Sequence, residues 1–189
     1  MKQGKIVIIT APSGSGKTTL VKRLLAEYPA LAFSVSACTR KPRVGEVDGK
    51  DYHFYTVEAF QQLIAEDAFV EWEMVYEGKY YGTLKSEMTR IWNEGKTPLV
   101  DIDVQGALDI QRQYPHNSLS IFIQAPSIEE LRKRLVLRST ETPETLEERI
   151  SKATYELTFA PQFNTIIVND NLDAAATELK ETVNRFLLA

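Results

Sequence analysis

The chain has 189 residues, 43% of them hydrophobic and 25% charged, with a formal net charge of −4. That length suits one domain or a core carrying insertions, with enough apolar side chain for a substantial core. The acidic balance argues against a protein devoted to duplex nucleic acid, which needs a basic surface. The single cysteine, Cys38, excludes an internal disulfide and a Cys-rich metal site, fits a reducing compartment and is read as an unreactive small residue. Neither a basic-plus-apolar leader nor an apolar run of ~18 residues is present, so a cytoplasmic protein without a membrane span is expected.

Strands and helices alternate along the chain. An apolar strand, Lys5–Thr10, leads through a Gly-rich turn into a helix over Lys17–Tyr28, which stops at Pro29 because proline cannot continue it. Residues 34–50 are rich in Ser, Arg, Pro and Gly. Short strands are predicted at 52–55 and 69–76 around a helix capped at Thr56, with Val57, Phe60, Leu63 and Ile64 in helical period. Glu77-Gly78 predicts a hairpin turn, so this stretch reads as an insertion with its own small antiparallel sheet. From Leu84 the alternation resumes: a helix to Glu94, a cap at Gly95, a strand over Thr97–Ile102, a helix to about Tyr114 and a strand over Leu119–Gln124. Ser127 and Glu130 form a capping-box pattern for the next helix. Ser139–Pro143 then interrupts the helical region, a candidate mobile lid, before a helix through Phe159. A strand over Thr165–Val168 and a helix over 172–188 complete the pattern, and the implied core is α/β with a parallel sheet.

The turn after the first strand reads Ala11-Pro12-Ser13-Gly14-Ser15-Gly16-Lys17-Thr18. Its setting, strand before and helix after, is that of a phosphate-binding P-loop. Glycines let the backbone fold around phosphate oxygens, the helix N-terminus adds its positive dipole end, Lys17 reaches the β/γ-phosphates and Thr18 can ligate Mg²⁺. Ala11 replaces the first glycine of the G-x-x-x-x-G-K-[ST] pattern, which bears only on backbone freedom at the loop entrance. The stretch is read as binding a nucleoside triphosphate.

Three further clusters carry chemistry. Arg40, Lys41, Arg43 and Lys50 lie in a stretch too broken by Pro and Gly to be helical; by spacing alone it is a solvated loop, and beside a P-loop its arginines can form a fork for an acceptor phosphate. In Phe69–Tyr76, strand alternation puts Glu71 and Glu73 on one face and Trp72 and Met74 on the other. The pattern fits a half-exposed strand with its acids in water. The pattern alone favours that reading; the functional alternative is a carboxylate accepting two parallel hydrogen bonds from guanine N1–H and its exocyclic amine. Leu99-Val100-Asp101-Ile102-Asp103 is a buried strand ending in acids at the carboxyl edge, a Walker-B-like arrangement in which an Asp helps hold Mg²⁺ directly or through water.

In order, these segments resemble the guanylate kinase family over nearly the whole chain. The resemblance is carried by the APSGSGKT loop, Phe33–Ser36, Thr39–Glu46, Gly49–Tyr52, Phe69–Trp72, Tyr80–Thr83, Asp101–Gly106 and Arg138 to Arg149. It implies a three-layer P-loop core (1–33 and 84–189), a small mixed GMP-binding insertion (34–83) and a helical lid (about 134–150). It implies ATP and GMP as substrates, ADP and GDP as products, Mg²⁺ as the accompanying ion, and a place in purine nucleotide metabolism. No nucleic-acid or membrane partner is implied, and a homo-oligomer stays open. By the resemblance, residues 11–19 (through Lys17, Thr18 and Thr19) and Asn169 bind ATP, Asn169 near adenine. Arg40, Arg43, Tyr52 and Tyr81 bind the GMP phosphate; Ser36, Glu71 and Thr83 read guanine, Thr83 standing where the family often has Ser; Asp103 lies by the acceptor and Asp101, with Thr18, by the metal. Lys17, Arg134, Arg138 and Arg149 are the implied catalytic cations. The rival readings are a related P-loop kinase acting on a ribose phosphate or another nucleotide, and a non-catalytic module of the same fold that binds phosphopeptides.

Overall fold

Alternate residues of the first strand, β1 (Ile6–Thr10), enter two different cores. Val7 and Ile9 pack with Leu20, Val21 and Leu24 of α1 (Lys17–Glu27) and with Leu179 and Val183 of α7 (Leu172–Leu188). Ile6 and Ile8 pack on the opposite side with Met88 of α3 (Lys85–Asn93) and with Val104, Ala107 and Ile110 of α4 (Val104–Gln113). Successive strand side chains point to opposite faces, so a strand apolar at every position must be covered on both. The computed structural model describes residues 4–137 and 143–189.

β1 is the middle strand of a five-stranded parallel sheet. Its neighbours are β7 (Thr97–Asp101) and β8 (Ser118–Gln124), with β2 (Leu31–Phe33) and β9 (Thr165–Val168) at the edges. Helices on both faces make the three layers. The sheet brings the ends of β1 and β7 side by side, Ile9 opposite Asp101. Ligands of open α/β sheets sit at that carboxyl edge.

A second, four-stranded sheet has the order β4-β3-β6-β5: β4 (His53–Phe54), β3 (Ala37–Cys38), β6 (Lys79–Leu84) and β5 (Phe69–Tyr76). β5 and β6 form the hairpin that Glu77-Gly78 predicts, with Gly78 at φ +68°. The small antiparallel sheet read from the turn pattern proves mixed, because β3 and β4 pair in parallel. The long Pro- and Gly-broken segment between them explains this, because a parallel pair needs a connection of about a dozen residues to bring the chain back in the same direction. α2 (Val57–Ala65), capped as expected by the Thr56 hydroxyl accepting from the Ala59 N–H at 3.2 Å, covers this sheet. Phe60 is its anchor, stacked on Phe69 with ring centroids 4.4 Å apart and on Tyr80 at 5.4 Å.

The strands β2 and β3 were not predicted. With three and two residues they carry no readable period and exist through pairing, Leu31 with Thr97 and Ala37 with Gly82. Elsewhere boundaries differ by a residue or two. The first helix ends at Glu27, with Tyr28 as C-cap, and Ser127 caps α5 (Ile128–Leu137) by accepting from the Glu130 N–H at 3.1 Å. α5 packs on α6 (Pro143–Leu157) through Leu131, Leu135, Ile150 and Ala153, and the Arg132 guanidinium grips the Glu147 carboxylate with two bonds of 2.5 and 3.0 Å. Most of the predicted interruption at 139–143 lies outside the described residues. No described helix is long and apolar enough to cross a membrane.

Candidate active site

A cavity of about 800 Å³ lies between the carboxyl edge of the parallel sheet, the second sheet and helix α6. It falls in the size range of small-molecule sites. Its walls carry six cationic side chains, Lys17, Arg40, Arg43, Lys79, Arg149 and Lys152. In a chain of net charge −4 that is a local concentration of positive charge, suited to a polyanion.

One end is the loop from Ala11 to Thr18, all of which lines the cavity. Gly14 and Gly16 have φ of +91° and +87°, left-handed values that glycine adopts without steric cost, and Gly16 serves as N-cap of α1. The Lys17 ammonium meets the Asp101 carboxylate and also donates to the Ile102 carbonyl at 3.4 Å. Across the loop, Arg149 on α6 reaches the Ser13 hydroxyl at 3.4 Å.

The other end is built from segments distant in sequence. Arg40 places its guanidinium 4.7 Å from the Tyr52 ring centroid and 5.6 Å from that of Phe54. Glu46 holds it in a fork, with bonds of 2.6 and 2.7 Å, and accepts the Arg43 N–H at 2.7 Å. These contacts, led by the bond to Arg40, hold the Glu46 carboxyl down at about 2. Tyr81 meets Tyr52 edge-on, and Ser36 and Asp103 complete the wall. Asp103 is also the N-cap of α4, accepting from Gln105 N–H at 2.8 Å and Gly106 N–H at 3.1 Å.

Glu71 occupies the floor of this end and is 8% exposed. Burial pushes its carboxyl up to about 7; Thr83 opposes the rise and Asp103 adds to it. Neither Glu71 Oε1 nor the fully buried Thr83 Oγ1 completes a hydrogen bond. Gly106 makes room for this carboxylate, since a Cβ there would lie 2.8 Å from Glu71 Oε2. Among the described residues the other buried side-chain atoms without partners are Thr10 Oγ1 and Ser15 Oγ, at the P-loop. Buried polar atoms are normally paired, and of these four residues Ser15 and Glu71 line the cavity, one at each end, where a polar ligand group would supply the partner.

Several expected site residues stand elsewhere. Thr19 is exposed on α1 and is not on the cavity wall, because one helical step turns it about 100° from Thr18. Thr83 lies behind Glu71 rather than on the wall. The Asn169 side chain is committed to the Ser15 carbonyl at 2.8 Å, beneath the P-loop, and does not line the cavity. Arg134 does not line it and is bonded to Glu130 at 3.0 Å, as the i,i+4 spacing on α5 favours, and to the Asn169 carbonyl at 2.9 Å. Arg138 lies outside the described residues. The sequence reading missed Glu46, Lys79, Lys152 and Glu156. Burial raises the Glu156 carboxyl, opposed by Lys152, its i,i+4 neighbour on the face of α6 that looks into the cavity.

For an ion at the P-loop end, the cavity lining includes the Thr18 hydroxyl and the Asp101 carboxylate as hard oxygen donors. Among the described residues no group of three or more acidic, His or Cys side chains is arranged to hold a metal. Such a sparse donor set fits an ion that keeps most of its shell as water and substrate phosphate oxygens.

A protein-family model described as guanylate kinase matches residues 3–186. The chain belongs to the guanylate kinase family. A guanylate kinase from Bacteroides thetaiotaomicron is 49% identical to it over 97% of this chain and 90% of that protein. One from Porphyromonas gingivalis is 45% identical over 97% and 98%. The crystal structure of guanylate kinase from Anaplasma phagocytophilum superposes with a TM-score of 0.76 at 29% identity, covering 96% of this chain and 85% of that one. The crystal structure of TT1252 from Thermus thermophilus, at 15% identity and a TM-score of 0.54 over 97% and 98%, shares the fold.

Proposed function

We propose that this guanylate kinase family member transfers the γ-phosphoryl group of ATP to GMP, giving ADP and GDP, a step of purine nucleotide metabolism. The observation that carries the reading is a single cavity joining the P-loop to a buried carboxylate, Glu71, whose Oε1 has no partner. Guanine offers N1–H and an exocyclic amine side by side, and a carboxylate accepts both.

On this reading an oxygen of the GMP phosphate attacks the γ-phosphorus in line. The bond to the β,γ-bridging oxygen breaks and its electron pair leaves with ADP. The nucleophile is already an anion, so no strong base is needed, and the protein's task is to position two polyanions and offset their repulsion. Lys17 follows the migrating group once nucleotide draws it from Asp101, and Arg149 caps the P-loop from the lid side. Arg40, Arg43, Tyr52 and Tyr81 hold the acceptor phosphate; Ser36, Glu71 and Thr83 select guanine, Thr83 by setting the environment of Glu71. Thr18 and Asp101 would hold Mg²⁺, which supplies neutralisation of phosphate charge when bound. Residues 34–83 act as the acceptor unit and α5–α6 as the lid, whose closure excludes water from the phosphoryl group.

The test is ADP release from ATP with GMP, AMP, UMP and ribose phosphates as acceptors. GMP-dependent turnover is expected. Equal turnover with a ribose phosphate or another nucleotide would assign a different acceptor, and no turnover with any acceptor would point to a binding module.

A further inference from the structure

Asn169 sits at the end of β9, two strands from β1, and is 4% exposed. Its Nδ2 donates to the Ser15 carbonyl at 2.8 Å. The peptide joining Ser15 to Gly16 is planar and trans, so its carbonyl and N–H point in opposite directions. A carbonyl drawn down onto Asn169 therefore turns the Gly16 N–H up, toward the side on which the P-loop would hold phosphate. The close approach also requires glycine at 16, since a Cβ there would lie 2.3 Å from Asn169 Nδ2.

Asn169 is itself fixed on two sides. Its N–H donates to the Gln124 carbonyl at 2.8 Å, and its carbonyl accepts from Arg134 NH1 at 2.9 Å. Arg134 is anchored in turn by Glu130 at 3.0 Å. An unbroken path runs from α5 through Arg134 and Asn169 to the peptide that opens α1.

We propose that Asn169 is a positioning residue for the donor phosphates, acting through the Ser15–Gly16 peptide, with Arg134 as its anchor. The role differs from an adenine contact, because it serves the phosphates whatever base they carry. It rests on the P-loop reading of the proposed function.

Asn169→Asp keeps the size of the side chain and replaces the donor facing Ser15 with an acceptor oxygen, or with a proton that must be taken up. Asn169→Ala removes the donor alone and tests the same point if the aspartate variant does not fold. Binding of ATP, of inorganic tripolyphosphate and of GMP is measured by calorimetry, each triphosphate with Mg²⁺, together with amide hydrogen exchange at Gly16. Both triphosphates should weaken by the same factor, about tenfold for aspartate and less for alanine, as loss of a buried hydrogen bond dictates. GMP affinity should stay unchanged, and the Gly16 amide should exchange faster in the folded variants. Weakening of ATP alone would overturn the proposal in favour of an adenine contact, and unchanged binding of both would remove Asn169 from phosphate positioning while leaving the P-loop reading intact. Failure of the unaltered protein to bind either triphosphate would overturn the P-loop reading and this proposal with it.

Discussion

The two ends of the cavity are built on different principles. The P-loop end is one contiguous stretch whose proposed ligand contacts are largely backbone N–H groups, shaped by Gly14 and Gly16. The proposed acceptor end gathers side chains from the β3–β4 loop, β5, β6 and the cap of α4, and it holds a carboxyl pushed up to about 7, chiefly by burial. A backbone site places little strain on the folded state before ligand binds. A side-chain site with a buried carboxylate is held at a cost to stability, and under the proposed function the return is selectivity, because a wrong base would leave that carboxylate unpaired.

This contrast can be broken most forcefully at the P-loop. Lys17→Ala should lower kcat by roughly 10³-fold, the loss of a charge that stabilises the transition state, with little change in Tm because Lys17 makes no core contact. Near-normal turnover of that variant would sink the P-loop assignment. At the other end, Glu71→Gln turns one acceptor oxygen into a donor amine facing guanine donors. We expect kcat/KM for GMP to fall about 10²-fold, the KM for ATP to hold, and a GMP-over-AMP preference of roughly 10⁴ to narrow. An unaltered preference would return Glu71 to a structural role.

Arg43→Ala should raise the KM for GMP roughly 10- to 30-fold with kcat at saturation retained, as loss of a charge-assisted contact made in the ground state requires. A shift in the ATP KM instead would place Arg43 with the donor. The smallest effect is the pH response. Glu71 must be ionised to accept from guanine, so the KM for GMP should fall about tenfold between about pH 6 and about pH 8 while the KM for ATP stays level. In Glu71→Gln that slope should vanish.

Stability should run the opposite way. The folded-state value of about 7 lies above the ordinary 4.5, so the folded protein holds this proton more tightly than the unfolded chain. The contribution of Glu71 is complete below 4.5 and is lost as pH rises through about 7, up to about 3 kcal/mol. Glu71→Gln, always neutral, should therefore melt well above the parent at pH 8 and close to it at pH 5, as thermal unfolding would reveal.

Much of the core was legible because the determining signals are local. The fully apolar run Ile6–Ile9, the Thr56 and Ser127 caps and the Glu77-Gly78 turn each act through neighbouring residues, and each forms where the pattern puts it. Strands β2 and β3 were missed because a two- or three-residue strand has no period and is defined only by its partner. The direction of β4 was missed for the same reason.

At the site, the sequence by itself determined the P-loop, since a contiguous backbone motif needs nothing beyond its own residues, and it proposed the acceptor side chains through family resemblance. Only the tertiary structure decided what each of them touches. Gly106 enters the sequence reading only as the end of the Asp101–Gly106 segment, and its reason is the Glu71 carboxylate packed where a Cβ would be. Asn169 reads as a residue for adenine, and the fold spends its amide on Ser15. Glu46 reads as loop charge, yet it is the group that fixes Arg40. In each case the partner lies on another element or across an irregular loop, and such juxtapositions arise from packing, which has no period or local motif to announce it.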